Sequence, residues 1–425
     1  MNPNLRSFIR KNRWIIAASI FFILWKFFLI DVEFRNGLDN PRFNDTSVYI
    51  AHIESIRSCS HVLFCEAFAK SFDGYFGFEH LTYRLFFGTI ASVADVSSGD
   101  MFMASFYIGI LLLLPVLIFF LKQLTKNENL IAFSIFFLAL YNGAGSYHGF
   151  FWVVPSFFAL LFFLLVFSVL ITENFRHWKL FLTVLIPSMI YTHFIGLYFI
   201  AVLIFFAIFY GIFKQEINPL LIRKLGFILF VTLLFYIPTA LHLKDSPYGG
   251  NSYGIETLFK PVMKTATQHI KNQKKNPPQE NAQQWNAPIF PGFAQIKTDY
   301  VDWLFPHWTT IPIFLFLLFL LFFYKQYVLL SLFFSALSFT LLSSVSIHGG
   351  RSLLLTWPLT FLIYAHGAWF AFRFFRDFIK NRGLLWLSYS VIHLSIIFFV
   401  FVNVIYSYSW NYGSAVSIQE IIKNL

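Results

Sequence analysis

The sequence is built from long apolar runs that are interrupted at short intervals by charged or polar residues. A helix of about 20 apolar residues is long enough to cross a bilayer. The candidate spans are Trp14–Ile30, Phe102–Leu121, Leu130–Tyr141, Phe151–Thr172, Leu180–Tyr191, Phe194–Phe213, Leu225–Leu241, Ile311–Tyr324, Val328–Ser343, Leu353–Phe372 and Leu384–Val404. The third, fifth and eighth are shorter than the ~17 residues that cross alone. The sequence therefore predicts an all-α polytopic membrane protein with about 11 transmembrane helices, within a range of roughly nine to thirteen.

The composition excludes the main alternatives to a membrane protein. Only 12% of the residues are charged, about half of the ~25% that is typical of soluble domains. Intrinsic disorder requires low hydrophobicity, whereas 58% of this chain is hydrophobic. The net charge is +11, but no clustered basic domain accompanies it, so we expect no nucleic-acid partner.

Lysine and arginine recur in alternate connecting segments, for example at Lys122, Lys126, Lys224 and Lys325. The short links of the other set contain a single basic residue, Arg351. Because cytoplasmic loops are enriched in Lys and Arg, we expect a cytoplasmic N-terminus and an external C-terminus, most simply in a bacterial inner membrane. The predicted organisation is residues 1–30 as the N-terminus and first span, 31–100 as a first external loop, 101–241 as a transmembrane bundle, 242–310 as a second external loop, and 311–425 as a C-terminal bundle and tail.

The first external loop is the segment that most strongly indicates a chemical function, since it holds half of the 20 acidic residues. Its segment from residue 43 to residue 56 predicts a short interfacial helix with Asn44 or Asp45 as the N-cap. Asp45, Tyr49 and His52 are spaced to share one face of that helix. A second interfacial helix is expected after Glu79 and His80.

The run Asp45-Thr46-Ser47-Val48-Tyr49 resembles the Asp-x-x-x-Tyr-Ala-like run of aminoarabinose and protein mannosyl transferases, which belong to the GT-C superfamily of membrane glycosyltransferases. Further similarities are the external hairpin YNGAGSYHGFFWVVPS, the late long external loop, and the span that begins with Arg351. The sequence departs from the commoner pattern of two adjacent acids, because Thr46 follows Asp45. It also lacks the WWDYG signature of oligosaccharyltransferase catalytic subunits, which argues against a diphosphate-linked donor.

The resemblance implies a GT-C-like fold and transfer of a sugar from a polyprenyl-phosphate-linked donor to a glycan, lipid or protein acceptor at the outer membrane face. A phosphate leaving group needs no proton, so one carboxylate acting as general base is sufficient for an inverting displacement. Asp45 is the first candidate for that base and Asp31 the second. Arg351 is the candidate clamp for the lipid phosphate, because its planar donor fork suits phosphate. The second external loop is the candidate lid over the donor.

Several other residues are candidates for substrate binding. Tyr49, Glu79, His80 and Tyr83 are expected to line the site, and His52 shares the face of Asp45. His148, His193 and His348 lie in other external links and are expected at the mouth of the same cavity. No cofactor is required, and a divalent metal at Glu79 and His80 is a weak alternative, because metal sites usually have three or more protein ligands.

The sequence is also compatible with two other functions. An O-antigen polymerase or ligase also uses lipid-linked sugars, but such an enzyme favours several external arginines in its later loops. A lipid or sugar transporter or flippase predicts internal repeats and polar sites at the membrane midplane. No Asp or Glu occurs within a predicted span, which argues against proton coupling.

Overall fold

The structure is a computed structural model. It describes residues 3–34, 46–58, 80–141, 143–144, 147–148, 154–193, 195–215, 218–245, 300–301, 304, 310–343, 353–391, 393–394 and 397.

Nearly all of the described residues are helical. In chain order the helices are α1 (Pro3–Phe34), α2 (Thr46–Arg57), α3 (Leu81–Ala94), α4 (Ser98–Leu124), α5 (Glu128–Leu140), α6 (Pro155–Ile171), α7 (Trp178–Thr192), α8 (Ile195–Lys214), α9 (Pro219–Asp245), α10 (Thr310–Phe323), α11 (Tyr327–Ser343) and α12 (Leu353–Phe378). Between α5 and α6, strands β1 (Gly143–Ala144) and β2 (Tyr147–His148) form a two-residue antiparallel hairpin. The all-α class is confirmed.

The helices follow the predicted spans closely. Ten predicted spans coincide with α1 and with α4 to α12, and residues 382–391 at the start of the last one are helical as well. Within the described residues, five helical segments are long and apolar enough to cross a membrane: Asn12–Asp31, Ser98–Leu124, Ile195–Lys214, Pro219–Ile237 and Leu353–Phe378. The others are shorter apolar helices, so the number of spans stays a prediction.

Local sequence signals set several helix boundaries. The Ser97 hydroxyl accepts a hydrogen bond from the backbone N–H of Asp100 at 3.1 Å and caps α4. The Asn127 side chain caps α5 in the same way, 3.0 Å from the N–H of Asn129. Pro155 begins α6, where its missing N–H removes no helical bond. These helix ends can be predicted from the sequence, because a cap is formed by residues that are neighbours in the chain.

The helices differ in how deeply they lie in the bundle. The apolar stretch of α12 is 94% buried, whereas that of α1 is only 22% buried. Helix α12 packs against α5, α10 and α11. At Gly367 of α12, an added Cβ would lie 2.7 Å from the Cβ of Leu317 in α10. Helix α12 is therefore the central element, and α1 lies at the periphery.

Two lysines are buried between helices. Lys224 of α9 donates to the carbonyls of Val169 at 2.9 Å and Leu170 at 3.3 Å, and also to the carbonyl of Thr172. It thereby satisfies carbonyls at the end of α6 that have no partner within their own helix. Lys26 of α1 similarly donates to the carbonyl of Tyr141. Lys224 counts as a loop charge in the sequence pattern, but the structure gives it an internal role.

Helix α2 is fixed from two sides. It packs against both α3 and α4. The Ser98 hydroxyl at the start of α4 donates to the carboxylate of Glu54, which also pairs with Arg57 at 3.2 Å. On the other side, Gly88 of α3 allows a close approach, since a Cβ there would lie 2.5 Å from the Cβ of Ile56. These contacts hold the face of α2 that carries Tyr49 and His52.

Candidate active site

Five of the predicted site residues come together where α2, α3 and the link between α7 and α8 meet. The ring of His80 lies at the centre, with its centroid 5.4 Å from that of His52 and 5.4 Å from that of His193. We call His52, His80 and His193 the histidine cluster. Tyr49 and Tyr83 adjoin it, with their ring centroids 6.2 Å apart.

Helix α2 contributes Tyr49 and His52, which lie one turn apart on the same face. The Tyr49 ring meets His80 edge-on at 5.7 Å. His52 is 7% exposed. Burial lowers the pKa of His52 to about 2, and the positive charge of Arg84 and the neighbouring His80 act in the same direction. His52 is therefore neutral at physiological pH.

His80 has an unusual backbone conformation. Its φ of 64° and ψ of 15° lie in the left-handed region, which costs a residue with a side chain roughly 1–2 kcal/mol. It precedes α3 without capping that helix through its side chain. Instead, His80 Nδ1 lies 3.1 Å from the carbonyl oxygen of Thr192. Strained residues persist where the surrounding structure holds them and are concentrated at functional sites.

His193 comes from the link between α7 and α8, at the break predicted there. Its Nδ1 accepts a hydrogen bond from the N–H of Ile195 at 3.1 Å, and its carbonyl accepts one from Gly196 at 2.9 Å. A Cβ at Gly196 would lie 2.7 Å from the carbonyl oxygen of Met189. The tight link therefore requires glycine, and it fixes the ring of His193 against His80.

Arg84 also belongs to this site, although the sequence did not single it out. It is 4% exposed, and its positive charge acts on His52. The backbone N–H of Arg84 donates a hydrogen bond to the carbonyl oxygen of His80 at 2.9 Å, so Arg84 lies in the first turn of α3. Charged residues are rarely buried this deeply. The available signal was a lone cation within the apolar helix LTYRLFFGTIASVA.

The remaining predicted residues are not brought into this cluster by the described part of the chain. Asp45, Glu79, His348 and Arg351 lie outside the described residues. His148 lies in β2, where only the backbone is described. Asp31 is exposed near the end of α1. Their roles stay predictions.

Most of the second external loop, including residues 246–299, is likewise outside the described residues. Its end is anchored in the bundle. The hydroxyls of Tyr300 and Thr360 are 2.7 Å apart, and the Tyr300 ring packs 5.0 Å from Trp357 of α12. The lid role of this loop stays a prediction.

Metal binding receives no support from the described side chains. Within the ranges given above, no group of three or more His, Cys, Asp or Glu residues is arranged to hold a metal ion.

Comparison with known proteins identifies a structural relative. No protein-family model matches the sequence, and no curated protein matches it. One structural match is to an oligosaccharyltransferase. The crystal structure of the Archaeoglobus fulgidus oligosaccharyltransferase in the apo form superposes with a TM-score of 0.58 over 94% of this chain and 56% of that chain, at 11% sequence identity. The chain thus spans a little over half of the length of that protein.

This likeness concerns the fold. It confirms the predicted GT-C-like helical architecture, because the match extends over nearly the whole chain.

Proposed function

We propose that the protein is a membrane glycosyltransferase that moves a sugar from a polyprenyl-phosphate donor to an acceptor at the outer face of the membrane. The observation that carries this proposal is the packing of α2, the helix directly after Asp45, onto the histidine cluster and buried Arg84. The fold shared with an oligosaccharyltransferase supports the same class of reaction. The acceptor is a glycan, a lipid or a protein, and the membrane is a bacterial inner membrane.

In the proposed reaction, Asp45 is the general base. Its carboxylate accepts the proton of an acceptor hydroxyl, and the hydroxyl oxygen attacks the anomeric carbon of the donor sugar. The bond between that carbon and the phosphate oxygen breaks, and polyprenyl phosphate leaves as an anion that needs no proton. Attack from the side opposite the leaving group inverts the anomeric configuration.

Cations stabilise the negative charge that develops on the leaving phosphate. We assign this role to Arg351, whose guanidinium can bind two phosphate oxygens at once. Arg84 is buried beside the histidine cluster, and its positive charge acts on His52.

The decisive variant is Asp45→Asn. We expect it to reduce transfer from polyprenyl-phosphate-linked sugars to background, because the amide cannot accept the proton, while the thermal unfolding midpoint stays unchanged. The measurement is release of polyprenyl phosphate and appearance of labelled glycoside, using the protein in its native membranes with a panel of labelled lipid-linked hexoses and pentoses.

Asp95→Asn is the matched control. Asp95 is an exposed carboxylate in the left-handed region at the end of α3, and asparagine tolerates that conformation. This variant should retain activity. Full activity of Asp45→Asn together with loss of activity in Asp31→Asn would transfer the role of base to Asp31. Movement of lipid across the membrane without bond formation would instead indicate a flippase.

A further inference from the structure

An apolar groove lies on the surface of the bundle, where α1 and α12 both pack against α5. We call it the α5 groove. Its volume is about 560 Å³, within the ~300–1,000 Å³ that is typical of small-ligand sites. The small side chains of Ala17, Ala18 and Ala132 leave this space open between larger aromatic rings. No residue of the histidine cluster lines the groove, so it is separate from the candidate active site.

The α5 groove extends from one end of these helices into the apolar layer. Along α1 it is lined from Trp14 to Phe21, and along α5 from Asn129 to Phe136. Two helical turns of this kind cover about 10 Å. At the closed end, the Phe21 and Phe136 rings stack with their centroids 4.8 Å apart. At the open end, Trp14 and Asn129 are both exposed. The groove therefore fits within the ~15 Å of hydrocarbon in one leaflet.

Helix α12 is antiparallel to α5 at this groove. The ring centroids of Trp369 and Phe133 are 6.3 Å apart, and those of Phe361 and Tyr141 are 5.2 Å apart. Residue numbers thus fall along α12 as they rise along α5. The C-terminal end of α12 consequently lies at the open end of the groove, beside Trp14 and the start of α5.

Basic side chains surround the open end of the groove. The guanidinium carbon of Arg13 lies 5.3 Å from the centroid of the Trp14 ring, so its charge is placed at the edge of the groove. Lys126 is exposed just before α5, and Arg376 is exposed two turns beyond Trp369 on the same side of α12. This is the end of the bundle that the sequence predicts to be cytoplasmic.

Acidic side chains compensate only part of this charge. Glu128 lies in the first turn of α5. Asp377 of α12 contacts both Arg373 at 3.9 Å and Arg376 at 3.3 Å. The α1 side has no compensating acid, since no Asp or Glu precedes Trp14 in the sequence. The α1 side of the open end is therefore positively charged.

We propose that the α5 groove binds a diacyl phospholipid with an anionic head group, with one acyl chain in the groove and the phosphate beside Arg13. An apolar groove with cations at its open end is complementary to such a lipid in both polarity and charge. Basic pockets between transmembrane helices bind anionic head groups on the cytoplasmic side, where anionic lipids are concentrated. Asn129 adds an amide at the same end of the groove. This inference does not depend on the proposed function.

The same features disfavour two other occupants. A second copy of the chain has the same orientation in the membrane, so symmetric pairing through this groove would bring two sets of cations together. Polyprenyl phosphate is proposed to react at the outer face, whereas the open end of the groove faces the opposite side of the membrane. An anionic phospholipid of the adjacent leaflet meets neither conflict.

The test titrates the full-length protein in detergent with phosphatidylglycerol and phosphatidylcholine of equal chain length. Native mass spectrometry counts the lipids that are bound. We expect the wild type to bind one phosphatidylglycerol with at least about fivefold higher affinity than phosphatidylcholine, which is the effect of one Lys or Arg on the binding of an anionic lipid.

Arg13→Gln tests recognition of the head group. We expect it to reduce the preference for phosphatidylglycerol about fivefold and to leave the affinity for phosphatidylcholine unchanged. Arg223→Gln is the matched control, because Arg223 is an exposed cation of α9, a helix that does not line the groove. This control should retain the preference of the wild type.

Ala17→Leu tests the position of the acyl chain. Ala17 is exposed and lines the groove, so leucine at this position fills the space without displacing the core, and binding of both lipids should be lost. Gly226→Leu is the control, since it adds an equal side chain to an exposed position of α9. Trp14→Ala is a second variant that removes a wall of the groove. Trp14 is 57% exposed, so the fold should tolerate this change, while affinity for both lipids should fall.

Four results would overturn the inference. The first is equal affinity of the wild type for the two lipids, or an equal effect of Arg13→Gln and Arg223→Gln, which would indicate only a general surface charge. The second is unchanged lipid binding in folded Ala17→Leu or in Trp14→Ala. The third is displacement of phosphatidylglycerol by equimolar polyprenyl phosphate, which would make the groove a site for the substrate lipid. The fourth is a dimer that Ala17→Leu dissociates, which would make the groove a contact between copies.

Discussion

At the scale of single residues, burial decides the protonation state of His52. The folded protein lowers its pKa to about 2, chiefly because the ring is buried and secondarily because Arg84 is nearby. In the unfolded chain the ring titrates with a pKa of about 6.5. Below that pH the unfolded state binds a proton that the folded state does not, so unfolding becomes more favourable as the pH falls.

We therefore expect the stability contributed by His52 to be complete above pH ~6.5 and to decrease by up to about 1.4 kcal/mol for each pH unit below it. Thermal unfolding in detergent at pH 7.5, 6.5 and 5.5 measures this loss. His52→Asn removes the titrating group, so its unfolding midpoint should fall less over the same interval. Equal pH dependence in the two proteins would show that other groups control acid stability.

Burial through helix packing also explains why the role of Arg84 was not predicted from the sequence. An arginine in a predicted external loop is ordinarily exposed to water, and the apolar sequence around Arg84 was the one sign that it is not. Its burial follows from the packing of α3 against α2, α4 and α7. His193 is a comparable case, because its position in a hairpin was evident but its contact with His80 was not.

At the scale of elements, the site depends on how closely α2 approaches α3. The backbone of α3 at Gly88 faces the side chain of Ile56 and the carbonyl oxygen of Ile53. A Cβ added to Gly88 would lie 3.0 Å from that carbonyl oxygen. The carbonyl cannot move without displacing α2. Any side chain at position 88 must therefore push α2, and with it Tyr49 and His52, away from His80.

Gly88→Ala should consequently destabilise the protein by about 1–3 kcal/mol, which is typical of overpacking, and should reduce glycosyl transfer. Gly226→Ala is the matched control. Gly226 is exposed in α9, and a Cβ added there would meet no atom within 4 Å. The better helix propensity of alanine should therefore leave stability unchanged or raise it by about 0.5–1 kcal/mol. Unfolding midpoints and transfer rates of the two variants test the claim, and equal behaviour would refute it.

At the scale of the whole molecule, the predicted orientation in the membrane decides which side the candidate site faces. It rests on the basic residues of short connecting segments, and one of them, Lys224, is buried against the end of α6 rather than exposed in a loop. The exposed Lys126 between α4 and α5 and Lys325 between α10 and α11 still follow the predicted pattern. The proposed reaction requires α2 and α3 to lie on the side of the membrane opposite to these lysines.

Single cysteines test this orientation in a background that lacks Cys59 and Cys65. In intact cells, a membrane-impermeant maleimide should label Ser97→Cys, which precedes α4 in an exposed position. Lys126→Cys and Lys325→Cys should be labelled only after the membrane is opened. The reverse pattern would place the histidine cluster on the cytoplasmic side and exclude an outer-face reaction.

The sequence by itself determined the helices, most of their ends, and the loop that carries the candidate chemistry. Length of an apolar run, helix caps and charge spacing are properties of neighbouring residues, and α2 was readable in this way from Asp45 to Ile56. Only the tertiary structure joined His80 to Thr192, which is 112 residues away, and buried Arg84, Lys26 and Lys224. Such contacts depend on which helix faces pack together, and that choice is made by the whole chain. The backbone carbonyl that His80 Nδ1 contacts became its neighbour only when these distant segments met.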